Sequence, residues 1–201
     1  MKTTTVGDLS GLPHNVFGLR SVIWWGLMGF MAIEAMAFIL GAGAYLYLRS
    51  VNADWPPPPD DLPALLPGVV TTVLLLGAEV ANRWLARRAR AQDERAVLIG
   101  LLLMSVLGLL ITGARFLEFP ALNTRWDFNA YGSVVWLLMV LHTLHLITDL
   151  LDTLVFTLWC WTHHMEPTQF SETYDNCGYW TFVVVSWLPI WALVYIAPRV
   201  L

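Results

Sequence analysis

The sequence predicts an all-α integral membrane bundle of five transmembrane helices, forming one membrane domain over residues 1–201 with a cytoplasmic N-terminus. Three observations predict it. Of the 201 residues, 57% are hydrophobic and 13% charged, with a mean hydropathy of +0.61, whereas a soluble domain carries about 25% charged residues. Several apolar runs reach the roughly 20 residues a helix needs to cross the hydrocarbon layer. Eleven tryptophans suit a protein anchored at two membrane–water interfaces. A soluble enzyme, a disulfide-knit secreted domain and a disordered chain are excluded. The net charge of −4 builds no basic face for nucleic acid. Two cysteines, Cys160 and Cys177, make neither a disulfide framework nor a four-thiolate metal site.

The spans are expected at about 20–49, 65–84, 96–119, 131–159 and 178–197, each close to the spanning length. The first and fourth exceed what a bilayer requires, so they tilt or project. Residues before Gly18 read as a short extramembrane arm, with no pattern of a signal peptide. Trp55-Pro56-Pro57-Pro58-Pro59 follows the first span. Proline lacks the N–H that a helix needs, so this segment is extended and lies outside the hydrocarbon. The connection after span two carries Arg83, Arg87, Arg88, Arg90 and Arg95, five of the chain's eleven Lys and Arg residues. The positive-inside rule places it in the cytoplasm. Alternation then puts the proline loop and the C-terminus outside, and Trp161 to Cys177 inside as a connection.

Ionisable residues within spans are costly, about 2.5–3.5 kcal/mol at a helix centre, and usually face protein or water. Span four carries His142, His145, Asp149 and Asp152. At about 100° per residue these fall within roughly 80° of one another, a polar stripe that faces the protein interior. It reads as a hydrogen-bonded seam between helices, with convergence on a metal ion as the alternative; no metal is expected. Arg115 and Glu118, three apart near the outer end of span three, read as an intrahelical ion pair at the interface, with a proton relay as the alternative. Glu34 is a lone carboxyl midway along span one. It is either a protonated hydrogen-bond donor to a neighbouring helix or a proton-antenna group. Glu79 lies near the cytoplasmic end of span two. His163 and His164 are adjacent, point apart on a helix, and read as solvated loop residues. Axial histidines deep in two different spans are missing, as are a Cys-x-x-Cys-His site, a phosphate loop and a nucleophile elbow. The chain's own residues therefore show no redox centre.

Four stretches, in order, resemble subunit III of haem–copper terminal oxidases in its short five-helix bacterial form. They are Ile33-Glu34-Ala35-Met36-Ala37-Phe38; Asp54-Trp55-Pro56-Pro57-Pro58-Pro59-Asp60; Ala130-Tyr131-Gly132-Ser133 followed by Leu141-His142-Thr143-Leu144-His145; and Tyr179-Trp180 with Phe182, Val183 and Trp187. The resemblance implies an accessory, non-redox subunit of cytochrome c oxidase or a quinol oxidase, in the bacterial inner membrane and the respiratory chain. Oxygen reduction coupled to proton translocation would belong to subunits I and II, which would supply the haem and copper. No cofactor is implied on this chain, and structural phospholipid is expected in a cleft. Glu34 would be the lipid-cleft or proton-side carboxyl, and Trp55, Pro56 and Pro57 would dock the outer loop.

The family motif in the last span reads Tyr-Trp-His-Phe-Val-Asp. Here Thr181 stands for the His and Val184 for the Asp; Tyr174 replaces a Glu, Asp149 a Gly and Arg115 a Glu. The rebuilt seam makes Arg115 and Asp149 a candidate compensating pair across spans three and four. These departures keep two alternatives: a subunit-III-like accessory protein of a nitric oxide reductase, and a small transporter or metal-handling membrane protein. The arginine-rich connection yields a direct test of orientation. An Arg90→Cys thiol is expected to resist an impermeant maleimide added to intact cells, and ready labelling would overturn the topology.

Overall fold

A computed structural model describes residues 17–200; the expected N-terminal arm lies outside them. Five helices carry the fold: α1 (Val22–Val51), α2 (Leu65–Arg90), α3 (Glu94–Glu118), α4 (Ala130–Thr162) and α5 (Pro167–Trp191). After α5 a π-helical segment, Ala192–Ile196, continues the rod through Ala197–Val200. All five are long and apolar enough to cross a membrane, and the described residues contain no strand.

The helix starts follow local chemistry. The first turn of a helix has backbone N–H groups without intrahelical partners, and short polar side chains satisfy them. Ser21 Oγ accepts from Trp24 N at 3.3 Å, Asp93 Oδ1 from Ala96 N at 3.3 Å, and Asn129 Oδ1 from Gly132 N at 2.8 Å. At α5, Glu166 and Gln169 form a reciprocal capping box with Pro167 behind it, a position where proline's missing N–H costs nothing.

That cap revises the last span. The expectation began it at about 178, after a long connection. The helix instead starts at Pro167, so the connection shrinks to 163–166. Its first turns hold Thr168, Gln169, Ser171, Glu172, Thr173, Asp175 and Asn176, too polar for a hydropathy window. They pack because Phe170, Thr173 and Cys177 are buried. Likewise α2 runs to Arg90 rather than Trp84. Arg87, Arg88 and Arg90 sit in its final turn, where cations complement the helix dipole.

The turn at 91–93 is tight, with Gln92 at φ 55°, and returns the chain antiparallel. Helix α2 packs on α3 and α5, α3 on α4, and α4 on α5; α1 lies outside this group against α4 and α5 and is the least buried of the five. Close approach needs small residues at two places. A Cβ on Gly68 would lie 2.6 Å from the Tyr195 ring, and one on Gly132 would lie 2.0 Å from the Arg125 carbonyl oxygen. Such packing substitutes for the hydrophobic drive that lipid does not supply between helices.

The outer connections form a cap. Trp55 is buried edge-on between Tyr45 and Tyr131, with ring centroids 5.3 and 4.9 Å away. The loop thus docks onto this chain's own α1 and α4, and Pro56 and Pro57 are half-buried beside it. Asp60 Oδ2 accepts from Thr124 Oγ1 at 3.0 Å and Asn129 Nδ2 at 2.6 Å. Arg199 Nη2 donates to the Pro63 carbonyl at 2.5 Å, so the end of the last helix closes the same cap.

Candidate functional site

A buried polar core crosses the middle of the bundle. Arg115 and Glu118 form an ion pair at 2.8 Å with both side chains at 0% exposure. The pair expected at an interface is therefore enclosed by protein. Four neighbouring elements enclose it. Glu118 also accepts from Thr71 Oγ1 of α2 at 2.9 Å and from Tyr195 OH of the π segment at 2.5 Å. The Arg115 guanidinium lies 3.8 Å from the Trp187 ring centroid, a cation–π contact. Its Nη2 donates to His142 Nδ1 at 3.3 Å. That leaves the His142 proton on Nε2, which donates to the Val183 carbonyl at 3.0 Å. Both ring nitrogens are thereby engaged, so neither offers a lone pair to a metal ion.

The expected Arg115–Asp149 compensation does not form. Arg115 turns to Glu118, His142 and Trp187, although its Nε has no hydrogen-bond partner, and Asp149 Oδ2 is likewise buried without one. Nor does the whole α4 stripe face inward. His142 and Asp149 are buried and His145 half-buried, but Asp152 is exposed, where it lines a cleft.

Glu34 anchors the second cluster. Its two carboxyl oxygens lie 3.0 and 2.8 Å from Tyr179 OH, which donates, and Oε1 lies 3.3 Å from His145 Nε2. His145 Nδ1 lies 2.7 Å from the Leu141 carbonyl, which can only accept. Nδ1 therefore carries a proton, and the Glu34–His145 contact is satisfied by one further proton between Oε1 and Nε2. That proton makes either an imidazolium–carboxylate pair or a neutral pair with Glu34 donating. The arrangement can hold or pass a proton. Sequence reading had Glu34 among apolar neighbours; the structure brings two polar partners to it from α4 and α5.

Beside this cluster a cleft of about 530 Å³ opens between α1, α4 and α5. Ile23, Leu27 and Phe30 of α1 make its apolar wall, and Asp149, Asp152, Glu172 and Asp175 line the opposite side. Asn176 Nδ2 donates to Asp152 Oδ2 at 3.1 Å. Glu172 and Asn176 were not singled out from sequence, because their segment reads as a connection; a capping box at Glu166 and Gln169 was the signal that could have found them.

The last-span motif is structural as observed. Trp180 Nε1 donates to Thr153 Oγ1 at 2.8 Å and Trp187 Nε1 to Thr72 Oγ1 at 2.8 Å, while Phe182 packs against Tyr179. Thr181 donates to Glu79 Oε1 at 3.0 Å; Glu79 also accepts from Arg83 at 2.7 Å. Tyr174 OH accepts from Arg90 Nη2 at 2.5 Å. His163 stacks on Trp159 at 4.1 Å, and His164 Nδ1 sits 3.7 Å from Glu94 with both groups solvated. Among the described residues no group of three or more His, Cys, Asp or Glu is placed to hold a metal ion.

The family model for cytochrome c oxidase subunit III matches residues 7–198. A cytochrome c oxidase subunit 3 from Synechocystis sp. is 28% identical over 209 residues, covering 98% of this chain and 87% of that protein. A probable cytochrome c oxidase subunit 3 from Nocardia farcinica is 27% identical, covering 90% of this chain and 88% of its own length. One from Thermostichus vulcanus is 22% identical over 87% of each chain.

Glu34 couples three helices, which gives a measurable signature. Tyr179→Phe removes a donor to a half-buried carboxyl and is expected to lower unfolding free energy by about 1–3 kcal/mol. Combined with His145→Ala in a double-mutant cycle, read by thermal unfolding in detergent, the two losses should be non-additive by more than about 0.5 kcal/mol. Simple additivity would mean that Glu34 does not link them.

Proposed function

The chain belongs to the cytochrome c oxidase subunit III family, and from that premise we propose how it works as an accessory, non-redox subunit of a haem–copper terminal oxidase. The match along residues 7–198 carries this reading. In it, the partners are the catalytic subunit I and subunit II, which hold the haem and copper and reduce oxygen with coupled proton translocation. The site is a multi-pass subunit of a bacterial inner membrane. The arginine-rich end of the bundle faces the cytoplasm, where positive charge accumulates.

Within the complex, the chain's own residues do two things. The buried core of Arg115, Glu118, His142 and Trp187 keeps α2 to α5 rigid as a docking body. At the arginine-rich half, Glu34, His145 and Tyr179 hold a proton at the edge of the cleft, and the cleft houses a membrane lipid. Support for the first role is the complete burial of the ion pair. Support for the second is the single proton that the Glu34–His145 contact accommodates.

Affinity purification through a tag on this chain is expected to bring down a haem-bearing partner that consumes oxygen; recovery of the chain alone would overturn the subunit assignment. Glu34→Gln keeps size and hydrogen-bonding capacity. The assembled variant should retain its initial rate of oxygen consumption while losing activity over fewer turnovers or releasing protons more slowly. Abolition of the initial rate in a fully assembled, haem-replete complex would make Glu34 part of the chemistry.

A further inference from the structure

Tyr179 has two bases in series behind its hydroxyl. The hydroxyl donates to Glu34, whose oxygens lie 3.0 and 2.8 Å away, and Glu34 Oε1 lies 3.3 Å from His145 Nε2. A phenol ordinarily keeps its proton up to a pH of about 10. A phenol stripped of one electron is a strong acid and sheds that proton to a base in hydrogen-bond contact. The Glu34–His145 contact holds one proton, and it has room for a second, as carboxylic acid plus imidazolium. Whichever partner carries the first proton, the end state is the same.

None of the chain's other five tyrosines has this arrangement. Tyr45 and Tyr131 are buried and their hydroxyls have no acceptor. Tyr47 is exposed, and its hydroxyl meets no base among the described residues. The Tyr174 hydroxyl accepts from Arg90, whose guanidinium lies 4.4 Å from the ring centroid; a cation there opposes the loss of an electron. Tyr195 donates to Glu118, but it is 1% exposed and Arg115 already holds that carboxylate. Among the described residues no indole N–H donates to a carboxyl or imidazole; Trp180 and Trp187, for instance, donate to threonine hydroxyls.

The surroundings of Tyr179 favour oxidation. It lines the cleft between α1, α4 and α5 together with Asp149, Asp152, Glu172 and Asp175, and no Lys or Arg lines it. Negative surroundings ease the removal of an electron, most strongly where water is excluded. Phe30 stacks on the Tyr179 ring at 6.2 Å between centroids and Phe182 packs at 5.8 Å. Phenylalanine rings are far harder to oxidise than a phenol, so the electron hole stays on Tyr179. The cleft opens between spanning helices, so an oxidant formed in the bilayer can reach it.

We propose that Tyr179 is a redox-active phenol that intercepts lipid peroxyl radicals at this cleft, with Glu34 and His145 as its proton acceptors. One electron passes from Tyr179 to the peroxyl radical, which takes a proton from water and becomes the hydroperoxide. The phenolic O–H bond breaks and its proton goes to Glu34, while the proton between Glu34 and His145 settles on Nε2. Tyr179 is oxidised to a neutral tyrosyl radical, and the hydroxide left in water balances the positive charge that the pair has gained. This rests on the reading above that the pair holds a proton, and adds the group that delivers a second.

The test places the full chain in vesicles of dilinoleoyl phosphatidylcholine with a lipid-soluble azo initiator, which yields peroxyl radicals in air. Freeze-quenched samples read by electron paramagnetic resonance are expected to show a neutral tyrosyl signal, and chain peroxidation is expected to run more slowly than in protein-free vesicles. Tyr179→Phe should lose both the signal and the protection. Glu34→Gln keeps a hydrogen-bond acceptor but takes up no proton; a positioned base is worth about 10²–10⁴-fold, so radical formation should slow by at least about ten-fold. If Tyr179→Phe fails to fold, a nitroso spin trap added to the parent chain, followed by peptide mapping, should place the adduct on Tyr179. An adduct only on other residues, a signal unchanged in Tyr179→Phe, or no tyrosyl signal would overturn the proposal. So would a rate of radical formation unchanged in Glu34→Gln. The proton-holding reading stands or falls separately, on the turnover of Glu34→Gln in the assembled oxidase.

Discussion

A full positive charge enclosed in a membrane protein constrains everything around it. Arg115 has 0% exposure, and its cost is tolerable only if its surroundings are polar and fixed in place. Glu118 supplies the counter-charge one turn away, but an isolated pair would still be under-satisfied. Thr71 and Tyr195 add donors to the carboxylate, and His142 and Trp187 add contacts to the guanidinium, whose Nε alone has no hydrogen-bond partner. Those four groups come from α2, the π segment, α4 and α5. Packing of the inner four helices is thereby tied to one electrostatic requirement, and small shifts of any helix would strand a buried charge or donor.

Helix α1 is built on different terms. It contributes no hydrogen bond to that core, packs mainly on α4 and α5, and leaves most of its surface exposed. Its principal polar tie is Glu34 to Tyr179 and His145. A helix held along one line leaves a gap where the line ends, and the cleft opens there, towards the arginine-rich half of the bundle. The same looseness that opens the cleft places a carboxyl–imidazole pair at its edge. Rigid body and adaptable rim divide the work of an accessory subunit between the two halves of one small chain.

How much of this was readable beforehand follows from the kind of signal involved. Hydropathy reports runs, so five spans could be read, and it missed the first 11 residues of α5, from Pro167 to Cys177, because that stretch is amphipathic and polar on its cleft side. Periodicity reports faces, so His142 and Asp149 were placed inward, but it said nothing of which helix they meet. Arg115 was a candidate partner for Asp149 and turned instead to Glu118 and His142. Partners 145 residues apart, such as Tyr179 and Glu34, leave no local trace. The contacts of Thr181 and Tyr174 are likewise visible only in space: Thr181 donates to Glu79, and Tyr174 meets Arg90.

The most direct test of the account is the unfolding free energy of Arg115→Met, Glu118→Leu and the double variant, measured by denaturant titration in detergent. Each single replacement strands a buried charge and is predicted to cost about 3–5 kcal/mol, whereas the double variant should cost far less than the sum, because removing both charges removes the need to satisfy either. Singles close to wild type, or a double variant equal to their sum, would contradict the claim that this pair organises the bundle.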